Sequence, residues 1–388
     1  MLTSMKAKFE TLFHEQPEVA AFAPGRINLI GEHTDYNGGY VFPAAIELGT
    51  YGLASKREDH KIRLYSNNFE DSGVIEFSLD DLQFNAAHSW ANYPKGMIKF
   101  LKEAGYSIDT GFNILVEGNI PNGASLSSSA SIEMLTGWLL KSLFDLQVER
   151  LELIQLGRKV ENQFIGVNSG IMDQFIVGMG RKDQAILLDT ATLDYHYVPA
   201  EFGDYVISIM NTNKRRELAE SKYNERLEEC QKALALLQQE LDITALGHLD
   251  TETFNKHTYL IEDEILLRRA RHAVTENARV KQAYEALEQS DFTAFGKLLN
   301  DSHASLKEDY EVTGTELDTL AETAQQVEGV LGARMTGAGF AGCAIALVHK
   351  ERIQQLEEEV TQIYANKIGY APSFYHVNIG DGVKSIEV

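Results

Sequence analysis

The feature that most constrains the fold is a change of hydrophobic periodicity near residue 195. Before it, short apolar runs at residues 62–65, 112–116 and 185–188 are each bounded by polar or glycine-containing turns, the pattern of β-strands. One more strand candidate follows at residues 205–210. Beyond it apolar residues recur every three or four positions, first Leu227, Cys230, Leu234 and Leu237, then Ala273, Asn277, Val280, Tyr284 and Leu287, with Arg271, Glu276 and Lys281 on other faces. These stripes read as the core faces of helices rather than as cofactor boxes. The expectation is an α+β chain in two domains, residues 1–195 rich in sheet and residues 196–388 more helical. A length of 388 residues fits this division at roughly 150 residues per domain. No repeat, low-complexity tract or Pro- or Gly/Ser-rich linker interrupts it.

Charge narrows the function classes. With 35 Lys and Arg against 57 Asp and Glu the net charge is −22, so nucleic acid is a poor partner. A triphosphate ligand would have to be held by short-range groups against that field, with many of the acidic side chains on helical faces of the second half, away from the phosphate loop. Cys230 and Cys343 are too few for a disulfide framework and lack zinc-site spacing, so they read as packed residues in a reducing cytoplasm. No apolar run approaches the ~18 residues of a membrane span, and neither export nor an obligate protein partner is indicated.

Three segments carry chemistry. The first is Pro24-Gly25-Arg26-Ile27-Asn28-Leu29-Ile30-Gly31-Glu32-His33-Thr34-Asp35-Tyr36, followed by Gly38 and Gly39. Arg26, Glu32, His33 and Asp35 supply the donors and acceptors that a polyhydroxylated ligand needs, and the glycines let backbone approach it. A solvated hairpin would use similar turn residues, while a metal reading of Glu32, His33 and Asp35 lacks a second histidine at a suitable spacing.

The second segment is Pro121-Asn122-Gly123-Ala124-Ser125-Leu126-Ser127-Ser128-Ser129-Ala130-Ser131, between a strand candidate and an apolar helical pattern. Small residues before a helix N-terminus make an anion site from backbone N–H groups and the helix dipole. A serine-rich N-cap without a ligand would look the same. The loop lacks the Gly-Lys-Ser/Thr of a Walker A motif and is no dinucleotide fingerprint.

The third segment, Met335-Thr336-Gly337-Ala338-Gly339-Phe340-Ala341-Gly342-Cys343, runs into a strand at residues 344–348. Its glycines serve either close approach to a ligand or tight packing of two elements. Between the second and third segments lie Glu161, in a helical stretch over residues 151–164, and Asp173, among small and apolar neighbours. An ionised carboxylate is costly there unless paired or used, so Asp173 is a candidate base, with a helix cap as the alternative.

Together these segments resemble the galactokinases, members of the superfamily of small-molecule kinases named for galactokinase, homoserine kinase, mevalonate kinase and phosphomevalonate kinase (GHMP kinases). The run from Gly25 to Tyr36 is similar to their sugar signature, Gly123 to Ser129 to the phosphate loop, and Thr336 to Gly342 to the third motif. Ser302-His303, Ser305-Leu306 and Asp309-Tyr310 also resemble a galactokinase stretch. The resemblance implies a two-lobed GHMP-kinase fold, an N-terminal mixed-sheet domain with a left-handed βαβ crossover and a C-terminal α+β domain. That hand runs against the general rule.

The implied reaction is ATP-dependent phosphorylation of the anomeric hydroxyl of α-D-galactose to galactose 1-phosphate, the first committed step of galactose use by the Leloir pathway. Carried onto this chain, Glu32, His33, Thr34, Asp35, Asp173 and Tyr223 would bind sugar. Gly123, Ala124, Ser125, Leu126, Ser127, Ser128 and Ser129 would cradle ATP phosphates, Ser66 would touch the nucleotide, and Ser129 with Glu161 would hold Mg²⁺. Asp173 would accept the anomeric proton or orient the hydroxyl, and Arg26 would hold Asp173 anionic and stabilise the transferred phosphoryl group. The rival readings are N-acetylgalactosamine or another hexose as acceptor, and a non-catalytic galactose and ATP sensor.

Overall fold

A computed structural model describes residues 1–121, 123–214 and 219–388 of the chain. In the first half, helix α1 (Leu2–Phe13) precedes strands β1 (Val19–Asn28), β2 (Tyr40–Val41), β3 (Pro43–Lys56), β4 (Lys61–Ser66) and β5 (Ile75–Ser78). Helix α2 (Asn92–Glu103), strand β6 (Phe112–Gly118), helices α3 (Ser128–Leu143), α4 (Arg150–Lys159) and α5 (Met172–Met179) and strands β7 (Gln184–Asp189) and β8 (Tyr195–Pro199) follow. The second half runs β9 (Tyr205–Asn211), α6 (Ala219–Leu237), α7 (Thr251–Lys256), α8 (Glu264–Glu288), α9 (Phe292–Ser305), α10 (Gly314–Ala324), β10 (Val330–Thr336), β11 (Cys343–His349), α11 (Ile353–Ile368), β12 (Ser373–His376) and β13 (Lys384–Ile386).

The first sheet has the order β13-β1-β3-β6-β4-β5 and is mixed, because β4 and β6, joined through α2, pair in parallel. Side chains alternate between its faces at the two-residue period of a strand. Ala54, Ile62, Leu64, Ile114 and Val116 share a core with Met97 and Leu101 of α2 and Leu135 and Leu139 of α3. The intervening Leu53, Tyr65 and Leu115 face Met5, Phe9 and Phe13 of α1, residues four apart on one helical stripe. A second sheet, β10-β11-β9-β12, is antiparallel, and a small third one, β2-β7-β8, flanks the first. Two strands cross the sequence boundary near residue 195: β8 stays with β7, and β13 returns to pair with β1.

The two large sheets meet through a shared apolar core. Ile27, Leu29, Phe42 and Ala44 on the first side pack with Ile207, Ile209, Ile345 and Leu347 on the second, under Val280 of α8 and Leu299 of α9. Truncating one such fully buried aliphatic residue to alanine costs about 2–5 kcal/mol. This core fixes the end of β1 against β10 and β11, where the three chemical segments converge.

Candidate active site

A bulge aims the arginine. The β1–β3 register shifts between Pro24 and Arg26, and a bulge re-aims the following side chain. Gly25 is needed there, since a Cβ would stand 2.7 Å from the Leu126 carbonyl oxygen. Arg26 N–H donates to that same carbonyl at 3.1 Å. Its guanidinium then grips Asp173 in a fork, Nε to Oδ1 at 2.9 Å and Nη2 to Oδ2 at 2.8 Å, while Nη1 donates to the Ser125 carbonyl at 2.8 Å. Burial works to lower the Arg26 pKa, but the charges of Asp173 and Glu32 raise it above its ordinary value, so the fork is a fixed ion pair.

The phosphate loop meets the same carboxylate from the other side. Ser127 stands at the N-cap position of α3, yet among the described residues no side chain caps that helix. Its hydroxyl donates to Asp173 Oδ2 at 2.5 Å instead. The first N–H groups of α3 are thus left without the usual serine cap, the arrangement that suits an anion rather than a self-satisfied helix start. Gly123, Ser125 and Ser127 all have positive φ (72°, 58° and 64°), a left-handed alternation that gathers successive N–H groups into a concave nest. Asn122 of this segment lies outside the described residues.

Helix α4 ends at Lys159 and a π-helical turn over Val160–Ile165 carries Glu161. Such wide turns recur at functional sites. Ser129 Oγ donates to Glu161 Oε1 at 2.7 Å and Ser169 Oγ to Oε2 at 2.5 Å, and burial raises the Glu161 pKa.

These groups line one cavity of about 210 Å³, together with Glu32, His33, Asp35 and Tyr223 from the sugar side. Glu32 Oε1 accepts the Gly337 N–H at 2.7 Å, and burial raises its pKa although Arg334 and Arg26 oppose the rise. His33, held at φ 60°, is pushed down to about pKa 3, first by burial and then by His272, so its ring is neutral. Burial and the Asp173 charge push Asp35 up to about 6. Its carboxylate lies against Gly170, where a Cβ would approach Oδ2 to 1.9 Å. Tyr223, near the start of α6, packs tilted 5.4 Å from the His33 ring and edge-on 5.2 Å from the Tyr36 ring.

Three expected ligand contacts stand away from the cavity wall. The Thr34 hydroxyl is buried on the Gly31 and Tyr40 carbonyls, where it shapes the turn. Ala124 packs into the apolar core shared by the two sheets. Ser66, at the end of β4, accepts the Asn68 N–H at 3.2 Å. The third segment resolves to packing as well as lining: Gly337 and Ala338 reach the cavity, whereas a Cβ at Gly342 would stand 2.3 Å from Ser125 Oγ. The acidic residues are also not confined to the second half's helices, for Glu32, Asp35, Glu161 and Asp173 line the cavity, and among the described lining residues Arg26 is the one permanent cation.

Sequence reasoning missed the supports of the sugar segment. Helix α8, read as core, presents His272, Glu276 and Asn277 to backbone: His272 Nε2 lies 3.1 Å from the Glu32 carbonyl, Glu276 Oε1 accepts the Gly31 N–H at 3.0 Å, and Asn277 Oδ1 accepts the Tyr40 N–H at 2.7 Å. Arg334 of β10 is fully buried and donates to the Asn28 carbonyl at 2.8 Å and to Glu32 at 3.4 Å. Ser302 and Ser305 of α9 complete the layer by bonding Glu276 and His272. Asn277 within the otherwise apolar stripe was the available signal, and His272, Glu276 and Arg334 offered none.

Comparison with known proteins agrees with this construction. Residues 7–56 match the galactokinase galactose-binding signature, residues 92–181 the GHMP kinases N-terminal domain, and residues 283–366 the GHMP kinases C-terminal model. The chain is 84% identical over 388 residues to the galactokinase of Staphylococcus carnosus and 72% identical over 386 residues to that of Staphylococcus saprophyticus, covering all of each chain. The crystal structure of Lactococcus lactis galactokinase complexed with galactose superposes with a TM-score of 0.98 at 57% identity, covering 99% of this chain and 100% of that one. A mevalonate kinase structure shares the fold at a TM-score of 0.66 and 22% identity, covering 94% of this chain and 100% of that one. By its motifs, its two-lobed fold and its full-length relatives, the chain belongs to the galactokinases of the GHMP kinase superfamily and is an ATP-dependent sugar kinase.

Proposed function

We propose that the chain transfers the γ-phosphoryl group of ATP to the anomeric hydroxyl of α-D-galactose, with Asp173 and Arg26 as its catalytic residues. The observation that carries this assignment is the convergence on Asp173 of the Arg26 fork from β1 and the Ser127 hydroxyl from the phosphate loop. Asp173 thereby sits between the sugar side and the phosphate side of one cavity. It accepts the anomeric proton, or holds that hydroxyl in line if bond breaking runs ahead of proton transfer. Arg26 orients the carboxylate through its fork and stabilises charge on the transferred group. Glu32, His33, Asp35 and Tyr223 bind and orient the sugar, and the backbone of residues 123–129 with the start of α3 binds the phosphates.

The donor set fits magnesium. Glu161 and Ser129 offer hard oxygen ligands next to the phosphate loop, and a cavity with four carboxylates and one guanidinium would repel a triphosphate without a further cation. Ser129 and Glu161 would hold the Mg²⁺, which when bound neutralises phosphate charge. The lobes of this reading are residues 1–195 and 196–388, with β8 and β13 completing the first-lobe sheets. Two free, buried cysteines suit a reducing cytoplasm, and no helix of the described residues is long and apolar enough to cross a membrane.

The test is coupled ADP release over a panel of hexoses, with and without Mg²⁺. Galactose should drive Mg²⁺-dependent release, with galactose 1-phosphate as product. Faster turnover of N-acetylgalactosamine would reassign the acceptor, and no sugar-dependent release would leave only a sensor.

A further inference from the structure

A line of hydrogen bonds runs from the interior of the second lobe to the sugar segment. Asn37 Nδ2 donates to Cys230 Sγ at 3.7 Å, and Cys230 Sγ lies 3.1 Å from the Tyr310 hydroxyl. That hydroxyl is 2.6 Å from Tyr36 Oη, which is 2.7 Å from His33 Nδ1, and His33 Nε2 lies 2.9 Å from the Ala338 carbonyl oxygen. The thiol, the two phenols and the neutral imidazole each hold one mobile hydrogen. Burial keeps the thiol and both phenols protonated and the imidazole neutral, with the Cys230 thiol up at about 11, both tyrosines well above their usual range and His33 down at about 3.

One carbonyl sets every direction in this line. Ala338 O can only accept, so His33 Nε2 carries the ring proton and Nδ1 offers a lone pair. Tyr36 therefore donates to Nδ1 and commits its only hydrogen. Tyr310 must then donate to Tyr36 and the Cys230 thiol to Tyr310, while the Asn37 amide supplies the sulfur. The Tyr310 ring packs at a tilt 4.8 Å from His33 and 4.5 Å from His272, which fixes the relay in place.

We propose that Tyr36, Tyr310 and Cys230 are positioning residues that hold His33 as the neutral Nε2–H tautomer, so that its one N–H anchors the third glycine segment through Ala338 and can meet a sugar hydroxyl only as a donor shared with that carbonyl. The proposal rests on the sugar-binding reading of this cavity. It makes His33 unfit to act as a base, and it ties recognition of the sugar to side chains that never touch it.

Nitrogen-15 NMR of the histidine-labelled full chain, with His33 assigned by its loss in His33→Gln, reads the tautomer directly. The wild type should show a protonated Nε2 and a bare, hydrogen-bonded Nδ1. Tyr36→Phe should remove the Nδ1 bond and raise the galactose KM about tenfold, with kcat and the ATP KM changed by less than about twofold. Tyr310→Phe should act in the same direction more weakly, and it serves if Tyr36→Phe does not fold. Cys230→Ser should restore whatever Cys230→Ala loses. An Nδ1–H tautomer in the wild type, or an unchanged galactose KM in both tyrosine variants, would overturn the proposal. Failure of the wild type to release ADP with galactose would instead overturn the reading of the site, and the NMR result would stand apart from it.

Discussion

The two walls of the cavity are built in opposite ways. On the sugar wall the backbone of residues 28–40 is already satisfied by long-range partners: Arg334 on the Asn28 carbonyl, Glu276 on the Gly31 N–H, His272 on the Glu32 carbonyl and Asn277 on the Tyr40 N–H. On the phosphate wall α3 starts without a side-chain cap, Ser125 and Ser127 hold left-handed backbone, and Ser125 Oγ is buried without a partner among the described residues. The backbone of one wall is tied down before any ligand arrives, although Asn28 Nδ2 and Arg334 Nη2 there are also buried without a partner among the described residues, and the backbone of the other is left open for one. The difference suits the two substrates. A neutral sugar is told from its isomers by fixed donors and acceptors, whereas a triphosphate brings enough charge to complete a waiting site.

Substitutions at the meeting point of the two walls should have the largest effect. Asp173→Asn should lower kcat by about 10²–10⁴ while ATP still binds; a near-normal rate, read by ADP release, would remove Asp173 as base. Arg26→Ala should lower turnover too, and a loss confined to galactose affinity would make Arg26 a binding residue only. On the sugar wall, Arg334→Met leaves Glu32 buried without one of its cations and should cost about 3–5 kcal/mol in urea unfolding. Tolerance of that change would break the claim that this wall is prebuilt.

Asp35 probes the same wall with a sign that can be worked out. Its folded pKa of about 6 lies above the ordinary 3.8, raised first by burial and then by Asp173. The folded state therefore binds this proton more tightly than the unfolded state, and the stabilisation is present at acid pH and lost as pH rises through about 6. Asp35→Asn should thus be more stable than wild type by about 3 kcal/mol at pH 7.5 and about equal below pH 4, although it uses galactose poorly. A destabilised variant at pH 7.5 would show that Asp35 is held by favourable contacts instead. Smallest is Ser129→Ala on the phosphate wall, expected to raise the MgATP KM about tenfold and leave galactose binding unchanged.

The contrast also explains what could be read from the sequence. The phosphate wall is local: strand, loop of small residues and helix lie within residues 112–143, so chain order alone displays them. The strands at residues 62–65, 112–116, 185–188 and 205–210 were legible for the same reason, since alternation and flanking turns are short-range signals. The sugar wall depends on partners far along the chain. Arg334 stands just before the glycine segment with no local signature, and Glu276 looks like a solvated charge until the fold buries it. The stripe of α8 from Ala273 to Leu287 is core, as its spacing implies, but its polar member Asn277 reads as ordinary variation, and His272 and Glu276, which lie off that stripe, give no signal without the loop they hold. The π turn at Glu161 was likewise invisible in a pattern that continues as regular helix. Ser66 and Thr34 were placed by resemblance, and in the fold Ser66 ends β4 while the Thr34 hydroxyl is bonded to the Gly31 and Tyr40 carbonyls.

Hydrogen exchange of the full chain, with each substrate added in turn, tests the difference between the walls most directly. Amides of residues 28–40 should exchange slowly in the free protein and change little with galactose, while those of residues 125–130 should exchange fast and become strongly protected by MgATP. Fast exchange across residues 28–40 that slows only on adding galactose, or a phosphate loop already protected without nucleotide, would contradict the account.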